Sequence, residues 1–222
     1  MNQQDIVIFG TGNMAQVAAV YIRAHSHLNI VGYTIDHEYR KEDTFDGLPL
    51  VSWNDLENLF PPDQVKLLGP LTYQRMNTIR RDRYLEGKSR GYSFASFIHP
   101  DCHIYTDKIG DNCLILERNI IQPFSSIGNN VIIWSGNHIG HHAQVGDHVF
   151  IASQVGIGGS AVIGNECHLA GQVGVAHGLT LGPRCAVLNG LTLSRSLPEG
   201  SVISADLPSI RPFDSSRLYK IL

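Results

Sequence analysis

From Ile109 to Leu193 an aliphatic residue returns at every sixth position without a miss, beginning Ile109, Ile115, Ile121, Ile127 and ending Leu181, Val187, Leu193. An α-helix cannot carry such a stripe, because 3.6 residues per turn rotates every sixth residue away from any one face. The position after the aliphatic residue is Gly or Ala in most hexads, among them Gly110, Gly128, Gly140, Ala152, Gly158 and Gly182, as expected where a tight corner leaves little room for a side chain. The fifth position is small or aliphatic and includes Val131, Ala143 and Val155. Two inward residues per hexad describe a short strand followed by a turn, and the period predicts a parallel β-helix. Parallel crossovers are mostly right-handed, so the period alone leaves the hand open.

The 222 residues, 43% hydrophobic and 17% charged, are enough for two modest cores. A net charge of −3 offers no electrostatic footprint for nucleic acid or an anionic membrane. Residues 1–5 are polar and lack a basic stretch before an apolar core, and no run approaches the about 20 apolar residues of a membrane span, so a cytoplasmic protein is expected. Three of the four cysteines, Cys113, Cys167 and Cys185, share the inward fifth position and read as reduced core thiols.

Ahead of the repeat, residues 5–9 (Asp-Ile-Val-Ile-Phe) form a short buried strand running into Gly10-Thr11-Gly12-Asn13-Met14-Ala15. Residues 16–25 have helical spacing, and a second strand over 30–33 ends just before Asp36. Strand, Gly-x-Gly turn, helix, strand and acid follow one another as in a nucleotide-binding βαβ unit: the glycines let a phosphate approach the helix N-terminus, and the acid can meet a ribose hydroxyl. The same turn also serves in proteins that use it only to pack helix on sheet. Further short strands are expected over 48–51 and 65–68, a helix over 53–60 ended by Pro61-Pro62, and a longer helix over 73–88 whose Arg80, Arg81 and Arg83 read as a solvated face. This part is closer to one mononucleotide-binding half than to the paired halves that hold NAD. The expected parts are 1–96, a small Rossmann-like α/β domain; 97–205, the all-β parallel β-helix; and 206–222, an irregular tail with Pro208 and Pro212.

The repeat, preceded by a domain opening with Gly10-Thr11-Gly12 and joined through Phe97-Ile98-His99-Pro100, resembles the NeuD/PglD-type sugar acyltransferases of the left-handed β-helix superfamily. The resemblance runs from Asp5 to about Ile203. It implies a left-handed triangular prism of three hexads per coil, a homotrimer, acetyl-CoA as co-substrate along the groove between neighbouring prisms, and a nucleotide-activated amino sugar held partly by the N-terminal domain. With eighteen residues per coil, positions eighteen apart stack at the strand spacing of about 4.8 Å. His141, third in its hexad, matches the family's catalytic histidine, with Gly159 above it in the place of the amide that meets the oxyanion and His177 above that. A base beside an amide donor suits acyl transfer from a thioester. The resemblance further assigns Gly158, Gly159, Gly171 and His177 to the CoA groove, and Gly10, Gly12, Asn13, Met14, Asp36, Trp134, His138 and His142 to the acceptor. This chain departs from the family at Met14, where a histidine is common, at Trp134, where relatives often carry a small polar residue, and at His142, where many carry an acid.

In the same eighteen-residue register His148 falls between Asn130 and Glu166 in an exposed charge ladder, His138 between Ile120 and Gly156 beside the intersubunit groove, and His168 at a solvated corner. The reading that follows is sugar N-acetylation for surface glycan synthesis, with sugar O-acetylation and a non-catalytic β-helix scaffold as alternatives. A metal hydratase of the γ-type carbonic anhydrase kind is disfavoured: the His-x-x-x-x-His spacing is missing, and His141 and His177 stand two coils, about 9.6 Å, apart. No metal is expected.

Overall fold

The structure, a computed structural model, describes residues 3–69 and 73–205; the expected tail at 206–222 lies outside the described residues. The chain begins with β1 (Gln4–Phe9), α1 (Asn13–His25) and β2 (Leu28–Ile35). An edge strand β3 (Thr44–Phe45), β4 (Leu48–Ser52), a short α2 (Leu56–Leu59), β5 (Lys66–Leu68) and α3 (Thr78–Ser89) follow. Strand order is β3-β4-β2-β1-β5, parallel except for β3. Ile6, Val7 and Ile8 of the central strand are fully buried, the unbroken apolar run of a strand covered on both faces.

Two boundaries differ from the sequence expectation. α1 starts at Asn13 rather than at residue 16, because Gly12 already acts as its N-cap. α3 starts at Thr78 rather than at Tyr73, because Arg75, Met76 and Asn77 all adopt positive φ and cannot continue a right-handed helix.

The repeat folds into two-residue strands that close a left-handed triangular prism. Along each face the register advances by eighteen residues, as in Ser126↔Gln144↔Val162↔Thr180 and Ile132↔Phe150↔His168. The end coils are shorter: Ile98 pairs with Ile115 at the start, and Leu181 bridges Leu197 at the finish. The periodic residues from Ile115 to Leu193 fill the interior together with the fifth-position residues. Cys113, Cys167 and Cys185 are buried there as expected, each donating its S–H to a carbonyl of the next coil, and burial pushes the Cys113 thiol up to about 11 and Cys167 up to about 12.

The glycines after the aliphatic residue are explained by coil stacking. A Cβ on Gly140 would stand 2.5 Å from the Gly159 nitrogen, and one on Gly158 would stand 2.6 Å from the His177 nitrogen. The left-handed backbone falls instead on the fourth position of each hexad, usually a non-glycine residue such as Asn112, Asn130, His142, His148 or Glu166.

The outward strand residues make the three faces unlike. One face presents Leu114, Ile132 and Phe150, and packs against α1 and the parallel sheet in a shared core with Ala18, Ile22 and Phe97. A second presents Ile120, His138, Gly156 and Gly174; the third presents Ser126, Gln144, Val162 and Thr180.

α3 does not present its arginines as a free solvated face: Arg81 and Arg83 are half-buried in ion pairs with Glu166 and Asp36. Arg80 is fully buried and donates to the carbonyls of Asn130, His148 (2.9 Å) and Val149 (3.3 Å) and to the Asn77 side chain (3.0 Å). Asn77 donates to the Glu166 and Cys167 carbonyls, Arg81 pairs with Glu166 at 2.9 Å, and Tyr84 donates to Asp111 at 2.6 Å. One side of the helix is thus bound to one edge of the prism, which corrects the solvated-face reading. The ladder at His148 is corrected with it: Asn112 donates to Asn130 (2.8 Å), Asn130 to His148 Nδ1 (2.8 Å), and all three are buried beneath α3. His168 is no corner residue either; it lies on a strand, stacked on Phe150 at 5.1 Å and flanked by Tyr73.

Candidate active site

The edge opposite the covered face runs through Gly140–Ala143, Gly158–Ala161 and Ala176–Leu179, and it carries His141, Gly159 and His177. Stacking of His141 under Gly159 is tight: a Cβ on Gly159 would lie 2.8 Å from both Cε1 and Nε2 of the imidazole. The ring therefore turns its Cε1–Nε2 side to a backbone bare of side chain. In some coils the amide at this hexad position is capped by a side chain: Asn129 N–H by Asp147 (2.7 Å), Asp147 N–H by Asn165 (2.9 Å), and His141 N–H by Gln122 Oε1 (2.9 Å). The Gly159 N–H has no protein acceptor among the described residues. A nitrogen base and an unspent amide donor are thereby neighbours.

His141 Nδ1 lies 3.1 Å from His142 Nδ1, and the His142 ring rests 4.8 Å from the Phe124 ring. Both histidines are exposed, as is His177. The His141 and His177 ring centroids are 6.0 Å apart, closer than the about 9.6 Å of two coil spacings, because no side chain at Gly159 stands between them. Among the described residues no group of three or more His, Cys, Asp or Glu is arranged to hold a metal ion.

The second concavity belongs to the α/β region. A cleft of about 460 Å3 is lined by Gly10, Gly12, Met14 and Asp36 from the expected set, joined by Tyr39, Arg75 and Arg83. Gly10 has φ +113, which only glycine adopts freely. Gly12 has an ordinary φ of −77 and open space where a Cβ would stand, so close approach of a ligand is its better explanation. No side chain caps the N-terminus of α1, whose first-turn N–H groups stay available for an anion. Asp36 lines the cleft with its Oδ1 already accepting from Arg83 Nε at 2.7 Å, and Arg83 also holds Glu86 at 2.7 Å. Asn13 is exposed at the first residue of α1.

The remaining expected residues scatter. Gly158 and His177 share the edge of His141, whereas Gly171 sits on another edge, where it accepts from Gly190 N–H. His138 is exposed on the second face, between Ile120 and Gly156 as its register predicts. Trp134 is half-buried against the core shared with α1, on a different edge of the prism from His141. Gln122 and Phe124 were not singled out by the sequence, and Arg83 was read only as part of a solvated face. Gln122 could have been, since it stands next to Pro123, the position one coil of eighteen residues beneath His141.

Repeat and prism define the class: a hexapeptide-repeat β-helix joined to a parallel α/β unit. Residues 108–141 and 124–159 match the family described as bacterial transferase hexapeptide (six repeats). No curated protein matches the chain. Among solved structures, a perosamine N-acetyltransferase from Caulobacter crescentus, a histidine-to-asparagine mutant in complex with CoA and GDP-perosamine, is similar at TM-score 0.80 and 20% identity over 89% of this chain and 92% of that one. The acetyltransferase domain of PglB from Neisseria gonorrhoeae, in complex with acetyl coenzyme A, is similar at TM-score 0.79 and 19% identity over 90% and 95%. WeeI from Acinetobacter baumannii follows at TM-score 0.60 and 16% identity over 91% and 97%. The chain thus shares the fold of NeuD/PglD-type sugar acyltransferases over nearly its whole described length.

Proposed function

We propose that the protein is an acetyl-CoA-dependent sugar N-acetyltransferase acting on a nucleotide-linked amino sugar for surface glycan synthesis, working as a cytoplasmic homotrimer. The observation that carries this reading is the His141 imidazole against Gly159, whose amide N–H is unspent. The sugar amine attacks the thioester carbonyl while His141 Nε2 accepts its proton, and the Gly159 N–H donates to the oxygen as negative charge grows there. Collapse breaks the carbon–sulfur bond, completes the amide and returns the proton to the CoA thiolate. The α/β cleft suits the nucleotide: a diphosphate meets the uncapped start of α1, with Arg75 at hand. Similar folds that bind CoA with GDP-perosamine, or acetyl coenzyme A, support both co-substrates.

Cleft and base belong to separate parts of one chain. No β-helix residue lines the cleft, and His141 stands on the edge opposite the face that the α/β region covers. Both can serve one reaction only if adjoining protomers supply them, which supports the trimer. The test is thiol release from acetyl-CoA with GDP- and UDP-linked amino sugars. His141→Ala should lower kcat by about 100-fold or more with the oligomer intact, the usual contribution of a general base. Failure to bind CoA in a calorimetric titration would instead favour a scaffold.

A further inference from the structure

We propose that His142 is the positioning residue for His141, and that it holds the base in its working tautomer only while His142 itself is neutral. The inference rests on the proposed role of His141. Two imidazole nitrogens 3.1 Å apart must share one proton, so one donates and the other accepts. For His141 Nε2 to present a lone pair toward Gly159, His141 Nδ1 must carry the proton. His142 Nδ1 is then the acceptor, and the proton of His142 sits on Nε2.

Protonating His142 reverses this. Its Nδ1 becomes a donor, which obliges His141 Nδ1 to accept and moves the His141 proton to Nε2, where it fills the site that should take the substrate proton. One proton bound to the neighbouring ring disables a base that it does not touch. A carboxylate at this position would behave differently, because it accepts from Nδ1 at every pH above its own low titration range.

The surroundings make His142 well placed for this. Its fourth-position φ of +60 and the bond from its N–H to the Pro123 carbonyl (3.2 Å) fix the backbone, and Phe124 supports the ring. The groups around the pair are His177, Gln122 and the Gly159 amide. Among the described residues no carboxylate, lysine or arginine bonds to either ring, so the two imidazoles set each other's proton.

The experiment follows both imidazoles by 15N NMR in the intact oligomer and measures kcat/KM against pH for wild type, His142→Asn and His142→Phe. Asn places an oxygen acceptor where Nδ1 stood, tolerates positive φ and does not titrate. In wild type, His141 should titrate as one of a coupled pair, and log kcat/KM should fall on the acid side with a slope approaching two. In His142→Asn, His141 should titrate in one step and the slope should become one. His142→Phe should lose about tenfold or more in kcat with KM little changed, the loss of orientation without loss of binding. Identical single-step titration of His141 in wild type and His142→Asn, with a slope of one in both, overturns the proposal. The NMR readout needs no turnover: coupled titration alongside activity that survives His141→Ala would uphold the pairing and remove His141 as the base.

Discussion

Glycine has two different uses on the edge that carries His141, and adjacent residues separate them. A Cβ on Gly158 would meet the backbone of the next coil at 2.6 Å, where nothing can yield without shifting a strand. The atoms nearest a Cβ on Gly159 would be those of the His141 imidazole, at 2.8 Å, and that ring can rotate. Gly158→Ala should therefore cost about 1–3 kcal/mol of stability, the usual penalty of overpacking, read as a lower denaturant midpoint. Gly159→Ala should leave the midpoint within about 0.5 kcal/mol, the ordinary range for a change with no packing cost, while kcat falls at least tenfold as the base turns away. Equal losses of stability in both would mean that Gly159 is as structural as its neighbour. Resemblance and register together pointed to His141 and Gly159 before any coordinate, because the eighteen-residue register converts spacing into adjacency. Gln122 and the amide left unspent at Gly159 were not legible, since the hydrogen bond of a backbone N–H leaves no mark on residue type.

At the scale of elements, the buried column Asn112-Asn130-His148 beneath α3 controls how stability responds to acid. Burial, with Arg80 and Arg81 nearby, holds the His148 imidazole below its usual range against the opposing pull of Asp147 and Glu166. Burial and Arg80 do the same for His168. The unfolded chain then takes up protons first as pH falls, so stability should drop from about pH 6.5 downward and level off once the folded values are passed. His148→Asn extends the asparagine column into a position of φ +62 that Asn tolerates, and should flatten part of that drop in urea midpoints compared at pH 7.5 and 5.5. An undiminished drop would exclude His148 as its source. The prism interior was legible because burial admits only aliphatic and small residues at two positions of each hexad. The face against α1 carries Leu114, Ile132 and Phe150 at eighteen-residue spacing, a pattern the hexad reading left unused. α3 was misread because Asn77, Arg80, Arg81 and Tyr84 form a polar stripe at helical spacing, and charged residues on a helix usually mark water. The partners of Arg80 are carbonyls, which every residue carries, so no side-chain pattern betrays them. The fourth-position turns were equally hidden, since left-handed backbone there is borne by Asn, His, Glu and Phe rather than by glycine alone.

For the molecule as a whole, no β-helix residue lines the α/β cleft and His141 stands on the edge away from the face the α/β region covers, so the assembly decides whether they cooperate. If one reaction uses both, the cleft of one protomer must serve the histidine of the next, a head-to-tail contact that closes into a ring. Complementation can read this directly. Gly12→Trp should fill the cleft without disturbing the fold, because a side chain at Gly12 projects into open space from an ordinary backbone conformation. His141→Ala removes the proposed base and leaves the cleft intact. Each variant alone should be nearly inactive. When the two are co-expressed in equal amounts, a site works only where an intact cleft from the His141→Ala protomer faces an intact histidine from the Gly12→Trp protomer. Random assembly at a heterologous interface puts about a quarter of sites in that arrangement, so the mixed oligomers should recover about a quarter of wild-type turnover. Hybrids as inactive as their parents, at unchanged oligomeric mass, would place cleft and base in service of the same chain or of separate tasks. Recovery would show that the prism edge and the cleft become one site only on assembly.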